Sequence, residues 1–125
     1  MIHKTPAVTI TTNASGVAAV TIGSKLRGYL VCLIYRPGTL DTGTDLTITT
    51  EVTGLPILAK SNMGTANSFL YPRALPTNAN SATGPLGTIP SERIPLHNEG
   101  ISVAVAGGGN TLTGTIQAIY ETIED

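Results

Sequence analysis

Apolar and polar residues alternate with a period of two along much of the chain, the pattern of strands that bury one face. In residues 6–12 (PAVTITT), Val8 and Ile10 alternate with Thr9 and Thr11. A second apolar run follows at 16–23 (GVAAVTIG) after Asn13, Ala14 and Ser15, so the two predict an opening hairpin that turns on Gly16. Residues 27–36 (RGYLVCLIYR) are apolar on both faces, which predicts a central strand covered on both sides. In DLTITTEV (45–52), Leu46, Ile48 and Val52 point one way and Asp45, Thr47, Thr49 and Glu51 the other, giving a sheet with one wet face. LPILAK reads as a short edge strand, and ANSFLY (66–71) as another short strand. Near the C-terminus, ISVAVA (101–106) and TLTGTIQAIYET (111–122) flank GGGN and predict a hairpin turning at Gly107 to Asn110.

Between Pro72 and Pro95 the pattern lapses. Pro76, Pro85 and Pro90 interrupt a stretch of Asn, Ser, Thr and Gly, which is too long for an ordinary connection. Leu75, Leu86, Ile89 and Ile94 punctuate it as apolar anchors, so it reads as an extended arm that packs on something. With roughly seven to nine strands and almost no helical periodicity, the expected fold is all-β. The whole chain, 1–125, is expected to form a single β-sandwich or jelly-roll-like domain carrying a long Pro-containing loop or arm at 72–95.

Composition narrows the function. The 125 residues are 41% hydrophobic, 12% charged and 4% aromatic, with net charge −1 and no Trp. That balance excludes a disordered tail, and seven Lys and Arg against eight Asp and Glu give no basic surplus for nucleic acid. No window approaches the ~18 apolar residues of a membrane-spanning helix. About 20 threonines favour strands, while the apolar residues are mostly small Ala, Val, Ile and Leu, so the core is thin and burial between subunits is expected.

A search for chemistry yields no constellation, and no catalytic residue, metal or cofactor is expected. His3 and His97 lie far apart and lack the spacing of a metal-binding pair. His97 beside Glu99 reads better as a polar turn than as an acid–base pair. DTGTD (41–45) has two carboxylates but not the remaining ligands of a calcium loop. GGGNTLTG lacks the Lys-Ser/Thr ending of a phosphate loop. Cys32 lies mid-strand among apolar residues and reads as a buried core thiol. Asn13-Ala-Ser matches a glycosylation sequon and reads as a turn. Arg27, Arg36, Arg73 and Arg93 flank apolar strands or the arm, where a guanidinium can bury its stem and fork to a partner's carboxylate.

As a set, DLTITTEVTGLPIL (45–58), YPRA (71–74), IPLHNEGISVAVAGGGN (94–110) and TGTIQAIY (113–120) resemble small β-rich proteins encoded among the head genes of tailed bacteriophages. The resemblance spans roughly 45–120 and rests on structural rather than catalytic motifs. It implies a non-enzymatic virion protein, made in the host cytoplasm: a capsid decoration (cement) protein on the capsid surface. Such a protein forms a homo-oligomer, a trimer, and clamps the major capsid protein, with no nucleic acid or membrane as partner. The expected partner contacts are Arg73, Leu75, Leu86, Ile89, Arg93 and Ile94 of the arm, with the residues before Pro6. The rival expectations are a head–tail connector or tail component and a carbohydrate- or receptor-binding jelly-roll module, the latter disfavoured by scarce aromatics. A small hydrolase is the remotest of them.

Overall fold

The computed structural model describes residues 1–74 and 92–122. Ten strands follow in chain order: β1 (Ile2–Lys4), β2 (Val8–Thr11), β3 (Ala18–Arg36), β4 (Asp45–Thr50), β5 (Pro56–Lys60), β6 (Ser68–Leu70), β7 (Arg73–Ala74), β8 (Glu92–Arg93), β9 (Pro95–Ala106) and β10 (Thr113–Glu121). All pairings are antiparallel, and the described residues contain no helix. Hydrogen bonding links β1-β10-β3-β9-β4-β5 in one sheet, with β2 joining β10 and β6 joining β3; β7 and β8 form a separate two-stranded ladder.

The fold turns on β3. Two runs that look separate in the sequence are one strand of 19 residues, bent where Gly23, Lys25 and Gly28 adopt φ of 63°, 50° and 110° and where the register to β9 shifts. From Ala18 through the bend to Tyr29, β3 pairs with β9, which pairs with β4; from Tyr29 onward β3 pairs with β10 on the opposite edge, and past β9 it takes β6 on the first. A strand that bends out of one half-sheet into another makes a corner, and the two halves close on a shared core. Ile22, Leu46, Ile48, Val103 and Val105 of the first half and Ile10, Leu30, Leu33, Tyr35, Ile116 and Ala118 of the second belong to one buried cluster. The protein is therefore an all-β, sandwich-like fold.

Period-2 alternation holds where it was clearest. Ile48 lies opposite Val103, which lies opposite Val20, while their neighbours Thr47, Ala104 and Ala19 face solvent. The 27–36 run is central and covered on both faces, with Leu30, Cys32, Leu33, Ile34 and Tyr35 all buried. Val52 departs from the pattern at 78% exposure, because β4 ends at Thr50 and the chain turns.

Both expected hairpins are corrected. β2 pairs with β10 rather than with the run after Gly16, although Asn13 does shape a turn there, its Oδ1 accepting from the backbone N–H of Ser15 and Val17. Likewise β9 and β10 do not pair with each other, because each takes an edge of β3. Gly107 to Asn110 is a crossover between the halves, held by Gly108 N–H on Gly16 O (3.0 Å), Asp41 N–H on Gly108 O (3.1 Å) and the Thr12 hydroxyl on Gly109 O (2.7 Å). The third correction concerns His97 and Glu99, which lie inside β9 rather than in a turn before it; Asn98, at φ 60°, is the extra residue of a bulge opposite Leu26 and Arg27.

Candidate interaction surface at the base of the arm

β6 and β9 lie end to end along the edge of β3 opposite β10: Leu70 pairs with Leu33, Pro95 with Tyr29, and Leu30 N–H donates to Ile94 O (2.9 Å) between them. Between them in the chain, after β6 and before β9, stands the two-stranded ladder at the base of the expected arm. Its two stems are β7 and β8, paired so that Arg73 stands opposite Arg93.

Two like charges directly opposite on a ladder repel, and each is accommodated differently. Arg93 forms an ion pair with Glu121 and sits 4.8 Å from the centre of the Tyr29 ring. Its hydrogen bond and charge hold the Glu121 carboxyl below the usual carboxylate range. Arg73 instead donates from Nη1 to two carbonyl oxygens, Pro72 (2.7 Å) and Val31 (3.1 Å), and remains exposed. Its charge also reaches Cys32, whose thiol is pushed up chiefly by burial, with Arg73 acting in the opposite sense.

Just before the stem, Phe69 and Tyr71 are 60% and 61% exposed, flanking a buried Leu70. Phe69 is the chain's single phenylalanine. The N-terminal strand adjoins the same corner, since Ile2 pairs with Glu121 and Glu121 with Tyr29, which pairs with Pro95. Met1 and Ile2 are 68% and 63% exposed. Of the expected contact residues, Arg73 and Arg93 are thus brought together at the surface, beside the residues preceding Pro6. Ile94 differs: at 2% exposure it belongs to the core of its own chain and anchors the returning stem. Leu75, Leu86 and Ile89 lie outside the described residues. Sequence reasoning missed Phe69 and Tyr71, because SFLY alternates without showing which face is inward.

Glu99 is buried, its Oε1 accepting from Val52 N–H (2.7 Å) and Thr53 N–H (3.0 Å) and its Oε2 from the Thr53 hydroxyl (3.1 Å). These bonds hold its carboxyl below the ordinary value, the reverse of what a general acid requires. His97 is exposed, and His3 stacks on Tyr120 with ring centres 5.3 Å apart. Asp45 Oδ1 accepts from Asn62 N–H, and among the described residues no three His, Cys, Asp or Glu side chains gather.

Because the Glu99 and Glu121 carboxyls titrate lower in the folded state than in the unfolded chain, their stabilisation is complete above the unfolded carboxylate value near 4.5 and is lost as pH falls through the lower folded values. Thermal melts between neutral pH and about pH 3 are expected to show a falling acid limb. Glu99→Gln should lower the neutral-pH melting temperature and flatten that limb; an unchanged limb would remove Glu99 as its source.

Compared with family models, curated proteins and solved structures, the chain matches none.

Proposed function

We propose that the chain is a non-enzymatic structural protein of a tailed-phage particle, a decoration protein that self-associates and binds the major capsid protein on the outer shell. The observation that carries this reading is the exposure of Phe69 and Tyr71 just before the opposed Arg73 and Arg93, with Met1 and Ile2 exposed at the start of the strand that pairs with Glu121, the ion-pair partner of Arg93. Aromatic residues and arginine are the types that concentrate binding energy in protein interfaces. The resemblance of residues 45–120 to phage head proteins supplies the kind of partner. Low charge over the whole chain suits a surface covered by protein. The mechanism is mechanical: each copy adds buried area across capsid joints, so the shell resists internal pressure. A trimer suits sites where shell subunits meet around a three-fold axis.

The test is sedimentation of the purified protein, alone and with undecorated heads. Self-association and saturable binding at many sites over the shell are expected, both weakened by at least tenfold, or about 1.4 kcal/mol, in Phe69→Ser/Tyr71→Ser. Binding confined to one vertex would favour a connector. A monodisperse monomer that ignores the shell would overturn the proposal.

A further inference from the structure

A second feature lies on the outer face of the half-sheet formed by β2, β10 and the end of β3. Thr9 pairs with Thr115, and Thr115 with Arg36, so the three form one row across neighbouring strands. Thr113 lies two residues from Thr115 on the same face, and with Gly38 and Gly114 these residues line an open groove of about 320 Å³. Two inter-strand spacings give the row a width of about 10 Å.

Arg36 is exposed, yet its guanidinium is held by a buried neighbour on the same face. Its Nη1 donates to Gln117 Oε1 (2.8 Å), and Gln117 Nε2 donates to Thr5 O (3.1 Å). Gln117 is 6% exposed and Thr5 4%. Thr5 is itself locked, its hydroxyl oxygen accepting from Ala118 N–H (3.0 Å). A buried amide that holds an exposed arginine through a neutral acceptor leaves the cation's full charge and its remaining N–H groups available to a ligand. Nothing in the sequence marks Gln117 for burial; holding Arg36 is a reason for it.

We infer that this groove binds a carboxylate carried on a hydroxylated ligand of monosaccharide size, the chemistry of an acidic sugar unit. The free side of the guanidinium matches the two oxygens of one carboxylate. A single cation favours a singly charged carboxylate over a phosphate. The Thr9, Thr113 and Thr115 hydroxyls, each both donor and acceptor, suit the ligand's own hydroxyls, whereas a plain acidic side chain would leave them without a match. The inference is independent of the capsid reading, since the groove uses none of the residues at the arm's base.

The test is titration of the isotopically labelled full chain with glucuronate, glucose and a glutamate-containing tripeptide, following backbone amide signals. Glucuronate is expected to shift Thr9, Thr113 and Thr115 saturably, with glucose at least tenfold weaker. Arg36→Lys, which keeps the charge but not the fork, should weaken glucuronate about tenfold, and Arg36→Gln should abolish its binding. Thr115→Val supplies a variant with the arginine retained, and weaker binding is expected there too. No saturable shift, equal response to glucose, tighter binding of the tripeptide, or undiminished binding in Arg36→Gln would each overturn the inference.

Discussion

Gly28→Ala is expected to cost on the order of 4 kcal/mol or more, enough to consume most of the stability of a domain this small. Gly28 sits at the bend of β3 with φ 110°, a conformation closed to L side chains. A Cβ there would stand 1.9 Å from Glu121 O and 2.9 Å from Thr122 Cα, both backbone atoms of the chain's C-terminal end. No rotamer change relieves such a contact; either β10 moves off β3 or the bend straightens, and either opens the core where the halves meet. Gly54→Ala is the control. Its φ is 72°, yet nothing lies within 4 Å of the added carbon, so only the backbone penalty of about 1–2 kcal/mol applies. Urea unfolding of both variants separates the terms. If the two lose equal stability, close packing at the β3 bend contributes nothing and the bend does not hold the two halves together.

That corner also explains which parts of the fold were legible in the sequence. Leu46 and Ile48 alternate with threonines because one face of β4 is wet, and a period of two reports that directly. Leu30 to Tyr35 are apolar throughout because that part of β3 is covered on both faces, which a continuous run reports equally well. Pairing is another matter. Asn13 to Gly16 and Gly107 to Asn110 have the composition of hairpin turns, but composition specifies only that the chain changes direction. Whether the flanking strands then pair depends on β3, a single 19-residue strand long enough to supply an edge to β9 and another to β10. Nothing local to either turn encodes that competition. Gly23, which closes the 16–23 run in the sequence, and Gly28, which lies inside the 27–36 run, together bend one strand.

The candidate surface was legible to a similar degree and for related reasons. Arg73 and Arg93 stand out as cations at the margins of a proline-rich stretch, and the register of β7 and β8 places them opposite each other. Ile94 belongs to the same stretch, but an isoleucine next to a strand is as suited to a core as to an interface, and the core holds it. Phe69 escaped notice because its significance lies in a cross-strand neighbour, Ile34; Arg36 stands out in the sequence as a cation at a strand end, but the buried Gln117 that holds it does not.

The pairing of the stems leads to the second large effect. Arg73 and Arg93 are directly opposite, and both stems are fixed to β3, one through Arg73 on Val31 O and the other through Ile94 O on Leu30 N–H. The ends of an excised segment are therefore already at ladder spacing, about 5 Å apart, and a two-residue Asn-Gly turn can join them. Replacing residues 74–92 by Asn-Gly removes Leu75, Leu86 and Ile89 while keeping Ile94 in the core and both arginines in place. The melting temperature is expected to stay within a few degrees of the parent, because the described core draws on none of the excised residues. Binding to undecorated heads, by contrast, should fall at least a hundredfold, or about 2.7 kcal/mol, if the arm is the clamp. Retained binding by the folded variant would move the contact to Phe69, Tyr71 and the N-terminal strand, and a further loss on adding Phe69→Ser/Tyr71→Ser would locate it there. A variant that no longer folds would show instead that the arm belongs to the core, contrary to the closed ladder at its base.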